Sequence, residues 1–333
     1  MGHEDHGHDL PTDRALDARL WASLGLNVVI TGAEVVGGLM AGSLALLSDA
    51  AHNLSDVAAL GVAVGARRLG RRPPTPRHTY GLKRAEVIAA LANAVTLVAV
   101  TALIAREAIV RLQHPAPVDQ GLMLVVALVA LAANVGSVLL LRRHDKKDVN
   151  VRSAFLHLAQ DALASLAVVI AALLAGTRVG PYVDPAAALL VGATVLRGAL
   201  SLVWETISTL LEGAPTGVDL EALVAGVAER FPPVRLHHVH VWEIAPGQRL
   251  LTAHADLGME MDGRGIEALF GRVKRLLHDE WDVTHATLEP EVAGCGNGEL
   301  LGRWDQSHLT NQTTSSPATG DHSNTPHKAG EVT

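Results

Sequence analysis

Residues 43–66 read SLALLSDAAHNLSDVAALGVAVGA, a mostly apolar stretch that nevertheless contains Asp49, His52 and Asp56. The hydrocarbon core of a bilayer, about 30 Å thick, is crossed by roughly 20 residues of helix. Titratable side chains are costly inside hydrocarbon and usually mark an ion or proton path. This stretch therefore predicts a membrane helix with a function beyond anchoring.

A second apolar stretch, residues 153–177, contains His157 and Asp161 at the same spacing as His52 and Asp56. Residues four apart share one face of a helix, so each helix can aim an imidazole and a carboxylate at one point. Two such helices facing each other would supply two nitrogen and two oxygen ligands, a tetrahedral set suited to zinc. Alternatively, the four are separate buried polar groups satisfied by neighbouring helices. The repeated spacing favours the metal site.

The hydropathy pattern predicts an all-α membrane domain with six spans. The spans are residues 20–40, 43–66, 87–105, 120–141, 153–177 and 184–204. Hydrophobic residues make up 49% of the chain and charged residues 18%, and the mean hydropathy is +0.25. These values exclude a mostly disordered chain and argue against a single soluble globule.

Other polar residues inside the spans have structural interpretations. We expect Glu34, Asn27, Asn53 and Asn134 to form hydrogen bonds between helices rather than to bind metal. Asp49 and Asp184 lie at the outer ends of their spans, where they could line an exit path, but capping of helices is favoured.

Basic residues in the short loops predict the orientation. Arg67, Arg68, Arg71 and Arg72 follow the second span, and Arg142, Arg143, Lys146 and Lys147 follow the fourth. Both loops are therefore predicted to be cytoplasmic, together with both termini. The chain is accordingly predicted to be a multi-pass protein of the cell (inner) membrane.

Residues 19–212 are predicted to form the membrane domain, and residues 213–293 a soluble α+β domain. Residues 1–212 hold 18 basic and 17 acidic side chains, whereas residues 213–333 hold 9 and 17. Helix patterns at 219–230 and 266–278 accompany strand patterns at 234–244, 248–257 and 283–289. Together they predict an open sheet with helices on one face.

The two ends of the chain are polar. Residues 1–18 contain a His- and acid-rich tract, which we interpret as a loose metal-capture segment, the alternative being a plain solvated tail. Residues 294–333 have few large apolar side chains and are predicted to be disordered.

Composition also excludes some functions. A net charge of −7 and an aromatic content of 3% argue against nucleic-acid binding. Cys295 is the single cysteine, which excludes a cysteine-rich zinc module and fits a reducing compartment.

The chain resembles the cation diffusion facilitator family of divalent-metal transporters, specifically its zinc-type branch. The resemblance runs from about residue 20 to 291. It is carried by residues 42–56 (GSLALLSDAAHNLSD), Tyr80-Gly81, Arg84-Ala85-Glu86, His157 to Asp161, Asp184-Pro185 and residues 210–213 (LLEG).

This resemblance implies a homodimer in a lipid membrane, six transmembrane helices and a metallochaperone-like (ferredoxin-like) cytoplasmic domain. It implies exchange of cytoplasmic metal for protons, and by position it assigns His52, Asp56, His157 and Asp161 as the transport ligands. We expect zinc as the main substrate, with cadmium and cobalt as further candidates, since cobalt also accepts tetrahedral nitrogen and oxygen ligands. Some relatives have a second site in the loop after span two. Here that loop offers His78, but Leu82 stands where a further His is expected, so we expect no site there.

Histidines in the soluble domain are further metal candidates. His238 and His240 share a face of a predicted strand because strand side chains alternate, although they could equally be ordinary surface histidines. The resemblance points to His238 or His240, with His254 and His285, as ligands of zinc in a regulatory role. Glu291 and Cys295 are weaker candidates.

The sequence thus predicts a zinc/proton antiporter with alternating access, not an enzyme. Zinc needs neutral His and ionised Asp, so metal and protons compete for the same atoms. An intramembrane metallohydrolase would need an open zinc position and a general base, and the His-Glu-x-x-His signature is absent. A membrane metal sensor would bind zinc without transporting it.

Overall fold

The computed structural model describes residues 14–141, 149–258, 260–291 and 299–301. The elements follow in the order α1 (Arg14–Ala41), α2 (Leu44–Gly70), α3 (Ala85–Gln113), α4 (Gln120–Leu141), α5 (Val149–Leu174), α6 (Gly180–Leu210), α7 (Leu220–Arg230), β1 (Arg235–Glu243), β2 (Arg249–Asp256), α8 (Gly263–Trp281) and β3 (Val283–Glu291). The predicted tails, apart from residues 14–18 and 299–301, lie outside the described residues, as do Cys295 and the basic residues at 142–147.

Four helices are long and apolar enough to cross a membrane, considering only the described residues. They are Ala85–Gln113, Gln120–Leu139, Phe155–Leu174 and Gly180–Leu210. The described apolar part of α1, Gly25–Ala41, is shorter, and α2 is made less apolar by Asp49, Asp56, Arg67 and Arg68. A helical, membrane-type region is therefore confirmed, and the full number of six spans stays a prediction.

Helix α2 lies at the centre of the helical region, where it packs against α1, α3, α5 and α6. Small side chains such as Ala45, Ala108, Ala127 and Ala172 are buried in the shared core. Small residues let helix backbones approach closely, which matters where lipid offers no hydrophobic driving force. This packing brings the polar residues of α2 next to those of its neighbours.

The first turn of α2 is held by a carboxylate from α6. Asp184 is fully buried and accepts hydrogen bonds from the Ser43 hydroxyl (2.6 Å), the Leu44 N–H (2.8 Å) and the Ala45 N–H (3.2 Å). Asp184 thus caps a neighbouring helix, satisfying amide groups that a helix start leaves unpaired. Asp49, in contrast, lies within α2 and does not cap it.

The C-terminal region contains a three-stranded sheet of order β1-β2-β3 together with α7 and α8. Strands β1 and β2 are joined by a tight turn in which Gly247 adopts φ +72°, a conformation glycine takes readily. Helix α8 buries Leu269, Phe270, Val273 and Leu277 on one stripe. These elements lie where the sequence predicts them.

Candidate metal sites

The structure brings together the four titratable residues that the sequence pairs on α2 and α5. One ligand atom from each of His52, Asp56, His157 and Asp161 lies within 4.8 Å of all the others. The His157 Nε2 atom is 3.1 Å from Asp56 Oδ2, and the His52 Nε2 atom is 3.4 Å from Asp161 Oδ1. Within each helix the corresponding His–Asp distances are 3.8 and 3.9 Å.

These distances have the dimensions of a tetrahedral metal site. Zinc lies about 2.1 Å from nitrogen and oxygen ligands, so neighbouring ligands around it are about 3.4 Å apart. The observed separations of 3.1 to 3.9 Å bracket that value. The two imidazole rings meet at 77° with centroids 5.8 Å apart, so they approach the shared centre from different directions.

The charge of this cluster is uncompensated by basic side chains. Asp161 is almost entirely buried, with a side-chain exposure of 3%, while Asp56 is 31% exposed. Among the described residues, no lysine or arginine forms an ion pair with either carboxylate. The negative charge of the two carboxylates therefore favours a bound divalent cation or bound protons over an empty, ionised site.

A buried polar network joins residues of α1, α2, α4 and α5. The Asn53 amide donates to Glu34 Oε2 (2.9 Å), while the Ser165 hydroxyl donates to Asp49 Oδ2 (3.0 Å) and accepts from the Asn134 amide (2.9 Å). All five side chains are buried. The predicted hydrogen-bonding roles of Glu34, Asn53 and Asn134 are thus confirmed.

Helix α3 supports the α2 backbone beside the cluster. The Asn93 amide donates to the Ser55 hydroxyl (2.9 Å) and to the Ser55 carbonyl (3.3 Å), one residue before Asp56. This contact is not among those that the sequence predicts. The signal available in the sequence was Asn93, a polar residue within the otherwise apolar third span.

A second group of closely spaced ligand atoms lies on the sheet. His237, His238 and His254 contribute atoms within 4.8 Å of one another, and their ring centroids are 5.0 to 5.4 Å apart. The Glu291 carboxylate lies 3.1 Å from His237 Nε2 and 2.6 Å from His254 Nδ1. This group combines three imidazoles with one adjacent carboxylate.

The membership of this group differs from the sequence expectation. His238 and His254 belong to it, His237 joins it, and within the described residues His240 and His285 do not belong to it. His238 has φ +49°, so the regular alternation of the strand is interrupted there and the consecutive rings of His237 and His238 lie together. His78 lies in a turn paired with Thr75 and belongs to neither group.

Comparison with known proteins places this chain in a family. Residues 20–211 match the model of the cation efflux transmembrane domain. The zinc transporter ZitB of Pectobacterium atrosepticum is 38% identical over 311 residues, covering 93% of this chain and 95% of that protein. The metal cation efflux system protein CzcD of Cupriavidus metallidurans is 33% identical over 306 residues, covering 91% and 94%.

A third relative is a named antiporter. The cadmium, cobalt and zinc/H(+)-K(+) antiporter of Bacillus velezensis is 34% identical over 271 residues, covering 80% of this chain and 86% of that protein. The chain therefore belongs to the cation efflux family. It is an integral, multi-pass membrane transporter of metal cations and not an enzyme.

Proposed function

We propose that this chain exports zinc from the cytoplasm in exchange for protons, and that His52, Asp56, His157 and Asp161 are the transport ligands. The observation that carries the proposal is the convergence of their four ligand atoms within 4.8 Å. The names of the relatives support zinc as substrate, with cadmium and cobalt as further candidates.

Zinc fits the donor set better than the harder divalent ions do. Imidazole nitrogen suits zinc, whereas manganese, calcium and magnesium prefer oxygen. Two imidazoles and two carboxylates complete a four-coordinate site. Zinc has no geometric preference from its d electrons. The helices can therefore change the ligand geometry around zinc, and thereby its affinity, without opposition from the ion.

Competition for the same atoms couples zinc to protons. Zinc requires neutral imidazoles and ionised carboxylates, so binding displaces protons and protonation displaces zinc. Moving a divalent ion outward against about −100 mV costs about 4.6 kcal/mol, and each entering proton returns about 2.3 kcal/mol plus about 1.4 kcal/mol per pH unit. One proton per zinc therefore cannot export zinc against a concentration gradient unless the pH difference exceeds about 1.6 units.

The proposed arrangement in the membrane has six spans with both termini in the cytoplasm. Residues 19–212 form the transport domain, and residues 213–293 form a cytoplasmic ferredoxin-like domain in a homodimer of the inner membrane. The basic loops support this orientation. Alternating access would expose the ligand cluster first to the cytoplasm and then to the outside.

We further propose that the sheet cluster, formed by His237, His238, His254 and Glu291, binds zinc in a regulatory role when the cytoplasmic zinc concentration rises. The spacing of His237, His238 and His254 and the adjoining Glu291 support this ligand set over one containing His240 or His285. Imidazole and carboxylate donors at this spacing suit zinc. The N-terminal histidines remain candidates for loose capture of the ion.

Flux through a sealed membrane tests the transport proposal. Purified protein is reconstituted into proteoliposomes, zinc entry is followed with an enclosed indicator, and a pH gradient of either sign is imposed. We expect an acidic interior to drive zinc into the proteoliposomes. An alkaline interior should oppose zinc entry. Zinc binding without flux would favour a sensor, and flux indifferent to the pH gradient would refute proton coupling.

A further inference from the structure

Glu34 of α1 and Asp49 of α2 form a buried carboxyl pair outside the proposed ligand set. Glu34 is 0% exposed and Asp49 is 1% exposed, and the two carboxyl groups are hydrogen-bonding neighbours. Each has one oxygen that accepts from a neutral donor, Asn53 for Glu34 and Ser165 for Asp49. The opposite oxygens, Glu34 Oε1 and Asp49 Oδ1, are buried with no donor directed at them.

A hydrogen between the two carboxyl groups would satisfy this contact. Ionised carboxylates only accept hydrogen bonds, so two of them can bond to each other only when one carries a proton. Two carboxyl groups in contact cannot both ionise without a compensating charge. In the described residues no lysine or arginine forms an ion pair with either group, and burial in an apolar setting makes a double negative charge costly.

We propose that Glu34 and Asp49 share one proton and form a proton-binding site that empties when zinc occupies the neighbouring ligands. This inference rests on the proposed zinc/proton exchange and adds a second proton-carrying location to it. The ligands themselves exchange protons for zinc by direct competition, whereas the Glu34–Asp49 pair would respond to the charge of the ion.

The position of the pair supports this electrostatic coupling. Asp161 of α5 is near enough to interact electrostatically with both carboxyl groups, and His52 of α2 is near enough to interact with Asp49. Helix α4, which packs against α1, contributes the neutral Asn134 and has no titratable side chain between Gln120 and Leu141. A divalent ion at Asp161 and His52 would be the largest charge near the pair, and it would repel the shared proton.

The proton count on zinc binding tests the proposal. Glu34→Gln keeps the size of the side chain and its hydrogen-bonding capacity but has no exchangeable acid proton. Full-length parent and variant are titrated with zinc by calorimetry in buffers of different ionisation enthalpy. The variant is expected to bind the same amount of zinc while releasing up to about one proton fewer per ion. An unchanged proton count in Glu34→Gln would overturn the proposal.

The matched control is Glu107→Gln on α3. Glu107 is 43% exposed and pairs with Arg111 one turn away on the same helix. Within the described residues, no hydrogen bond joins it to Glu34 or Asp49. The control is expected to release as many protons as the parent. A drop as large as that in Glu34→Gln would assign the effect to general loss of negative charge and refute the shared proton.

Infrared difference spectroscopy gives an independent readout that does not need the Gln variant to fold. The parent should show a protonated-carboxyl C=O absorption that disappears when zinc is added, and Glu34→Asp should shift the frequency of that absorption, because a band that arises from the ligand aspartates would not move. Absence of any such change in the parent would refute the shared proton. A parent that transports no zinc would refute the proposed function. A parent that transports zinc, with Glu34→Gln indistinguishable from it in proton release, would refute only this inference.

Discussion

Asp56 of α2 lies closer to His157 of α5 than to His52, one turn away on its own helix. Its Oδ2 atom is 3.1 Å from His157 Nε2 and 3.8 Å from His52 Nε2. Asp161 shows the same crossing, at 3.4 Å to His52 and 3.9 Å to His157. Packing of α2 against α5 therefore completes the cluster. A relative movement of the two helices would divide four ligands into two weak pairs, which is a direct way for a conformational change to lower zinc affinity.

Asp161→Ala is expected to abolish zinc transport while the protein remains folded. The substitution removes a buried ligand, and loss of even an indirect ligand partner costs about 10- to 100-fold in metal affinity. We therefore expect zinc uptake by inverted vesicles to fall by more than about 100-fold. Wild-type uptake in this variant would refute the four-ligand proposal. Glu107→Ala, which removes a half-exposed carboxylate of α3, should transport at the parental rate.

Asp184→Ala is expected to loosen α2 from α6. The change removes the acceptor of three hydrogen bonds from Ser43, Leu44 and Ala45 and leaves buried amides unpaired. From the cost of losing charge-assisted bonds and a helix cap, we expect a loss of roughly 3 kcal/mol in unfolding free energy. Thermal unfolding of the detergent-solubilised protein should show a lower Tm.

The comparison for Asp184 is Asp119→Ala. Asp119 accepts a single hydrogen bond from Leu122 N–H at the start of α4, and loss of one exposed cap costs about 1 kcal/mol. The Tm should therefore fall further in Asp184→Ala. Equal decreases in the two variants would show that Asp184 does no more than an ordinary surface cap.

His237→Ala is expected to weaken zinc binding at the sheet cluster, and His285→Ala is expected to leave it intact. His237 lies 3.1 Å from Glu291 and belongs to the group of closely spaced ligand atoms. The measurement is calorimetry on full-length protein carrying Asp161→Ala, which removes the membrane site. The affinity for zinc should fall by about 10-fold or more on loss of a ligand.

The reverse ranking of these two variants would restore the sequence-based ligand set. Glu291→Gln offers a second check, because it keeps the hydrogen-bonding shape of the side chain while removing its charge. It should weaken zinc binding together with His237→Ala. If the affinity for zinc is unchanged in both variants, the cluster is not a zinc site and its residues have only a structural role.

The membrane cluster was accessible from the sequence because it depends on a simple period. His52 and Asp56, like His157 and Asp161, are four residues apart, and helix geometry puts each pair on one face. Their occurrence in two apolar stretches identified the helices that should face each other. The sequence could not give the crossed distances, because these depend on how far α2 and α5 slide and rotate against each other.

The sheet cluster was only partly accessible for a different reason. Strand alternation predicts that His238 shares a face with His240 and not with His237. The φ of +49° at His238 breaks that alternation, and a non-glycine residue in this conformation has no clear signature in the sequence. The Glu34–Asp49 pair also could not be predicted from the sequence. Its two residues lie on different helices, and no repeated spacing in the sequence links them.

His52→Asp is expected to weaken discrimination in favour of zinc. His52 and His157 are the nitrogen donors of the proposed transport site, so the change converts a set of two nitrogens and two oxygens into one nitrogen and three oxygens. Oxygen-rich sites suit manganese and other hard ions. The added negative charge also raises the cost of the empty site in the membrane unless a cation compensates it. We therefore expect cadmium or manganese to enter, with some loss of rate.

A competitive flux measurement shows whether the metal preference is set by the donor atoms or by the packing of the helices. Zinc is offered with cadmium or manganese to proteoliposomes that contain the parent or His52→Asp, and the ratio of transported ions is measured. A ratio shifted by about 10-fold away from zinc corresponds to about 1.4 kcal/mol of changed preference. If the variant still transports and its ratio is unchanged, the spacing of α2 and α5 must set the preference, because the donor atoms will have changed without effect.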